Sequence, residues 1–211
     1  MNMMRQELQD AAIGVGITQS PENLDVLKKP GCAAAIWQRQ PTPTFQTWID
    51  ELDPGVLPSA RLILRPQEVR TALSDLFDAA QTPEGPHRKH LIEDIGTLTR
   101  VFCKIMDPPF VRLRLERITS NACRRFHIDA VTARLICTYR GTGTQYGIST
   151  DGEEPQRVFT VPAAAPILLR GTLWSEEPRS GLLHRSPPIE GTGETRYVLI
   201  VNPVFDPEDE I

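Results

Sequence analysis

The stretch CRRFHIDAVTARLICTYRGTGTQYG, from Cys123 to Gly147, decides how the second half of this chain is built. Its middle alternates: Val131, Ala133, Leu135, Cys137 and Tyr139 take one side, and Thr132, Arg134 and Thr138 take the other. A period of two over that length is the signature of a strand with one buried face, so Tyr139 is expected to point inward with the core set. A glycine-containing turn follows, and then another short run, TQYGI. Ahead of the alternation stand His127 and Asp129, one residue apart, in a segment that also reads as extended.

Working outward, FVRLRLERI (110–118) repeats the alternation with Val111, Leu113 and Leu115 against Arg112, Arg114 and Glu116. Downstream, RVFTV, PILLRG, GLLHRS and TRYVLIVNPVF are short apolar runs separated by Gly, Pro and acidic turns. With the His127–Asp129 segment counted as a strand, this makes about eight strands in roughly one hundred residues without a helical pattern, a density that points to a sandwich or a barrel-like jelly roll.

The first half is more helical. PENLDVLKK and TPTFQTWIDEL read as short helices, the second with Thr42 or Thr44 as N-cap, and PQEVRTALSDLFDAA as a helix opened by Pro66. CAAAIWQR and ARLILR read as strands. In RKHLIEDIGTLTRVFCKIM, Leu91, Ile95, Leu98, Phe102 and Ile105 fall at helical spacing, which gives a long amphipathic helix that needs a sheet to lie against. The expected architecture is therefore α+β and mainly β. Residues 1–107 form a helical or mixed region packed on the sheet of residues 108–211, within one compact domain.

Composition excludes several classes. A net charge of −4 and scattered arginines argue against nucleic-acid binding, which needs a concentrated basic face. The start MNMMRQELQDAAIG lacks a cationic, apolar signal pattern and no run is long enough to cross a bilayer, so the expectation is a soluble, cytoplasmic protein without a membrane partner. Cys32, Cys103, Cys123 and Cys137 form no C-x-x-C pair and are expected to be reduced thiols. The tail DPEDEI reads as a solvated acidic end.

On one strand face, His127 and Asp129 can converge on a single ion. The one later histidine, His184 in GLLHRSPP, supplies a third ligand. Two imidazoles and a carboxylate on one triangular face, with open positions beside them, suit non-haem Fe(II). Arg196 opens the last strong strand, and its fork suits a carboxylate. The plainer alternatives are a strand-end His127 paired with Asp129 or backbone, a turn-capping His184, and a surface pairing of Arg196 with Glu190 or Glu194. Cys123 shares the parity of His127 and can join a Cys/His/Asp zinc site or lie in the core. His87 and His90, at i and i+3, are half of a metal site or a solvated helix end. Trp37, Trp48 and Trp174 read as packing residues, with Trp174 near the pocket mouth.

H-x-D, then His184, then Arg196 in the final strand resembles the Fe(II)/2-oxoglutarate-dependent dioxygenases over Pro108 to Phe205. The wording FHIDAVTARLICTYRGTGTQYG with GLLHRSPP and RYVLIVNP also resembles the bacterial DUF1826 family. The first resemblance implies a double-stranded β-helix, a cupin-like jelly roll carrying an N-terminal helical layer. It implies His127, Asp129 and His184 as catalytic metal ligands and Arg196 as partner of the distal carboxylate of 2-oxoglutarate, with Tyr139 as a further carboxylate contact. The R-x-S pair of some subfamilies is not matched, since Tyr197 and Val198 follow Arg196. The expected activity is that of an oxidoreductase: an Fe(II)/2-oxoglutarate oxygenase of the hydroxylase type acting on an unknown small-molecule or protein substrate, with room for a homodimer. Zinc can replace iron in such a site. The alternative is a non-catalytic, cupin-like metal-binding protein linked to zinc homeostasis, a link that the family resemblance implies. A third reading is a cofactor-independent isomerase or dioxygenase of the cupin type.

Overall fold

In the computed structural model, which describes residues 11–208, β1 (Gly14–Thr18), β2 (Cys32–Trp37), α1 (Pro43–Glu51), β3 (Ala60–Leu64), α2 (Val69–Ala79) and α3 (Pro86–Met106) are followed by β4 (Phe110–Ile118), β5 (Ala133–Arg140), β6 (Gln145–Ile148), β7 (Phe159–Thr160), β8 (Pro166–Arg170), β9 (Leu182–Arg185) and β10 (Arg196–Val204). Seven strands form one sheet in the order β1-β2-β8-β5-β10-β4-β3, and three form a second, β7-β6-β9. All pairings are antiparallel except β1 with β2. The chain is thus mainly β, with the helices gathered on one face of the large sheet.

Local chemistry explains the elements. The Thr42 hydroxyl accepts from the Phe45 amide at the start of α1. Pro86 occupies the first turn of α3, where a missing N–H costs nothing, so the helix begins two residues before the polar run that announces it. It ends at Asp107 in the left-handed region, before Pro108 and Pro109. The stripe Leu91, Ile95, Leu98, Phe102 and Ile105 is buried against Leu113, Leu115, Leu135, Leu199 and Val201 of the sheet.

The large sheet is covered on both faces. Opposite the helices, Ile136, Ile167, Leu169 and Val198 pack with Leu182 and Tyr146 of the small sheet in a second core. Alternation along β5 therefore separates two interiors rather than an inside from an outside.

Two expectations are corrected here. The His127–Asp129 segment is no strand: it is an irregular loop touching the small sheet through one isolated bridge. The strands expected at CAAAIWQR and ARLILR form as β2 and β3, but with β1 they belong to the large sheet itself, so the mixed first hundred residues do not merely pack on it. All four cysteines are free. No helix among the described residues is long and apolar enough to cross a membrane. The N-terminal segment up to Asp10 and the end of the acidic tail lie outside the described residues.

Candidate active site

Three pieces of chain converge between the two sheets. His184 lies on β9, buried beside Leu182 on the face toward the large sheet. The loop carrying His127 is tied to it by two backbone bonds: His127 N donates to His184 O and His184 N to His127 O, both at 3.0 Å. Ser186 N donates to Cys123 O and fixes the loop again. From the other side, the turn after β8 braces the loop, with Gly171, Thr172 and Leu173 amides donating to the carbonyls of Thr132, Asp129 and Val131. Gly171 has to be glycine for this, because a Cβ there would stand 1.8 Å from Val131 O and 2.8 Å from Asp129 O.

The result is a His127–Asp129–His184 cluster whose ligand atoms all lie within 4.8 Å of one another. The Asp129 carboxylate has His184 Nε2 3.0 Å from Oδ2 and His127 Nε2 3.4 Å from Oδ1. His127 Nδ1 lies 2.8 Å from the Arg125 carbonyl. A carbonyl only accepts, so Nδ1 carries the proton and Nε2 is the ligand-bearing nitrogen. Asp129 Oδ2 is buried and makes no hydrogen bond despite its proximity to His184, which suits an oxygen that meets a cation. Its partner Oδ1 is held by Arg134 Nη1, whose Nε donates to Asn202 Oδ1 at 2.8 Å.

Electrostatics prepare the trio for a metal. Burial pushes the His184 imidazolium down against the pull of Asp129, which favours the neutral ring a metal needs. The hydrogen bond toward Asp129 holds His127 up, against burial. Burial opposes ionisation of Asp129, but the contacts from His127 and His184 and the Arg134 charge outweigh it and hold the carboxyl well below its usual range. A neutral imidazole, an ionised carboxylate and a second imidazole that gives up its proton on binding fit a divalent cation of the Fe(II) or Zn(II) kind.

A cavity of about 220 Å³ adjoins the cluster, floored by Ile136, Val198 and Ile200 of the large sheet, with His127, His184, Thr144 and Arg196 in its walls. Arg196 is 1% exposed. Its Nε donates to Thr142 O at 2.6 Å and one terminal nitrogen to Thr138 Oγ1 at 3.3 Å, while Nη1 is buried without a partner. Burial brings the guanidinium down to about 10 despite Glu194 and Glu116 nearby. A buried cation with an unused donor, in a cavity wall, has the chemistry to take an anion. The expected alternative partners are engaged elsewhere: Glu194 accepts from Thr142 and Glu190 from Asn121.

Tyr139 does not join this group. It faces the helices, where its hydroxyl donates to Asp94 Oδ2 at 2.7 Å beside the bidentate pair of Asp94 with Arg39. The alternation that placed it inward is correct, but the cavity is on the other face of β5. Arg134 and Asn202 went unnoticed in the sequence. Arg134 carried a signal, since it stands on the polar face of the same alternating strand. Cys123 is exposed at the cavity rim and outside the three-ligand cluster. His87 and His90 pack their rings on Phe45, and His87 also on Trp48, as parts of a helix contact. Trp174 lies under the Arg170 guanidinium at 4.5 Å and lines a separate cavity with Ile128.

No curated protein matches the sequence. Among solved structures, the rice dioxygenase for auxin oxidation superposes with a TM-score of 0.51 at 12% identity, over 93% of this chain and 84% of that one, a likeness of fold. The Arabidopsis thaliana dioxygenase for auxin oxidation 1, in binary complex with 2-oxoglutarate, gives 0.49 at 10% identity over 93% and 94% of the two chains. A Pseudomonas putida prolyl-4-hydroxylase gives 0.46 at 9% identity over 89% and 100%. Residues 18–202 match the family described as a protein of unknown function, DUF1826, and the chain belongs to that family.

Proposed function

We propose that this protein is an Fe(II)- and 2-oxoglutarate-dependent oxygenase of the hydroxylase type, its two sheets forming a double-stranded β-helix around the cavity. One observation carries the reading: His127 and His184 of the cluster with Asp129 line the same cavity as the buried, incompletely bonded guanidinium of Arg196. His127 and His184 through Nε2 and Asp129 through Oδ2 would hold the metal, and Arg196 the far carboxylate of the cosubstrate. When bound, the pair supplies dioxygen activation coupled to oxidative decarboxylation, the chemistry of this cofactor class.

The chain's own contribution is positional. Arg125 O orients the His127 ring, and burial keeps His184 neutral. Thr138 and Thr142 fix the guanidinium of Arg196, so that a carboxylate meets a fork already in place. Ile136, Val198 and Ile200 make part of the wall apolar, which lowers the local dielectric and strengthens that charge pairing. At about 220 Å³ the cavity falls below the roughly 300–1,000 Å³ typical of whole-ligand pockets, so it suits a compact dicarboxylate and leaves a larger substrate at the mouth.

The test is anaerobic titration of the protein with Fe(II) and 2-oxoglutarate, followed by visible absorption. The expected result is the charge-transfer band of 2-oxoglutarate bound at Fe(II), absent in His184→Ala. Metal binding without that band, with Zn(II) held as well as Fe(II), would replace this reading by that of a non-catalytic metal carrier.

A further inference from the structure

Asp129 is presented to the cluster by a second layer that comes from two different strands. Arg134, near the start of β5, reaches Oδ1 through Nη1, and its Nε donates to the amide oxygen of Asn202 on β10. Arginine carries donors only, so the orientation of the Asn202 amide is forced: its oxygen faces the guanidinium. All three side chains are enclosed, with Arg134 17% and Asp129 10% exposed and Asn202 2%. This polar chain sits on the face of the sheet that carries Ile136, Val198 and Ile200, beside Arg114 and Glu116 of β4. A core with no other duty gains as much from apolar residues there, because buried ionic groups recover little net stability.

We infer that Arg134 and Asn202 are positioning residues for the metal, holding the Asp129 carboxylate by Oδ1 so that Oδ2, beside His184 Nε2, is left without a hydrogen-bond partner. The inference rests on the reading of His127, Asp129 and His184 as ligands. Its consequence is that Oδ2 would be the oxygen offered to a cation, because Oδ1 is already held by Arg134. It also links the two ends of the site mechanically: Arg196 and Asn202 stand at opposite ends of one face of β10, with Val198 and Ile200 between them.

The sign of the effect separates positioning from charge. A guanidinium beside a cation site repels the cation, so removing it would tighten binding if charge alone mattered. Loss of a group that orients a ligand weakens binding instead, by about 10- to 100-fold. Isothermal titration with Mn(II) alone therefore decides. Wild-type protein is expected to bind one Mn(II) and His184→Ala none. Arg134→Gln is expected to bind about 10- to 100-fold more weakly. Asn202→Ala, which changes no charge, should weaken binding in the same direction by a smaller factor, and it carries the test if Arg134→Gln does not fold by circular dichroism. Unchanged or tighter Mn(II) binding in either folded variant overturns the positioning role while leaving the metal site standing. Failure of the wild type to bind Mn(II) overturns the site itself, and the positioning role with it.

Discussion

His127 and His184 face each other as a hydrogen-bonded antiparallel pair, each donating its amide to the other's carbonyl, with ring centroids 4.6 Å apart. In such a pair both side chains leave the same side, so a loop and a strand distant in sequence present their imidazoles together without regular structure in the loop. The bridge fixes two imidazoles at once, and the carboxylate follows from a two-residue step to Asp129.

Metal affinity should depend on pH through His127. Its imidazole is raised above the ordinary histidine value by Asp129, while that of His184 is lowered. Binding at Nε2 requires neutral rings, so below the raised pKa of His127 a proton has to be displaced from that ring. Mn(II) affinity is expected to fall about tenfold per pH unit below the His127 pKa and to level off above it. Calorimetry in buffers of different ionisation enthalpy counts the proton directly, and a flat profile between pH 6 and pH 8 would contradict the assignment.

Arg196 should cost stability that its ligand recovers. A guanidinium brought down to about 10 on folding disfavours the folded state at every pH below that value, and the cost fades only as pH rises through it. Arg196→Met removes the buried charge along with the hydrogen bonds to Thr142 and Thr138. The expected net gain is about 1 kcal/mol, or about 2–4 °C in Tm for a chain of this size. The same variant should lose the thermal shift that 2-oxoglutarate gives the Mn(II)-loaded wild type. A Tm below wild type together with a retained shift would place the anion elsewhere.

Much of this was legible from the pattern along the chain, and what was missed has a physical cause. The stripe from Leu91 to Ile105 and the alternations of β4 and β5 specify faces, and those faces are the ones buried. Pattern does not say which of two interiors a face meets. In a sheet covered on both sides, Tyr139 points inward yet away from His127, whereas Arg134 on the other parity meets Asp129. His127, Asp129 and His184 come together, but through a bridge between loop and strand that no local periodicity announces. The parallel pairing of β1 with β2 is equally non-local, and GVGIT has too little side-chain character to reveal it.

Tyr139→Phe should therefore act on stability alone. It deletes one buried bond to Asp94, which keeps its bidentate contact with Arg39, so the expected loss is about 1–2 kcal/mol in urea unfolding. Binding of 2-oxoglutarate to the Mn(II)-loaded variant should be unchanged. A marked loss of that affinity would return the tyrosine to the site.

Thiol chemistry separates Cys123 from the rest. Burial pushes Cys103 up to about 11 and Cys137 up to about 12, so neither ionises near neutral pH. Cys123 is exposed. One fast-reacting thiol is expected in native protein treated with iodoacetamide, lost in Cys123→Ser. That variant should bind Mn(II) and Zn(II) as the wild type does. Weaker Zn(II) binding would instead make the sulfur a ligand.

Gly171 gives the sharpest test of how the loop is held. Its amide donates to Thr132 O, and no Cβ can be accommodated against the Val131 and Asp129 carbonyls. The obstruction is backbone, which cannot rotate away as a side-chain end would, so Gly171→Ala has to push the Asp129 loop off the turn after β8. The expected cost exceeds about 1 kcal/mol, since the native backbone is incompatible with the new residue. Because the Val131 carbonyl in the way, with that of Asp129 behind it, lies in the loop that presents the Asp129 carboxylate to the cluster, Mn(II) affinity should fall with it. Gly152→Ala is the control: this glycine lies in an exposed turn where a Cβ meets nothing, but it has a positive φ of 79°. It should therefore lose stability through backbone strain without losing Mn(II) affinity. Equal affinity losses in the two variants would show that the measurement reports general destabilisation, whereas a loss confined to Gly171→Ala shows that the close approach of the two turns sets the position of Asp129.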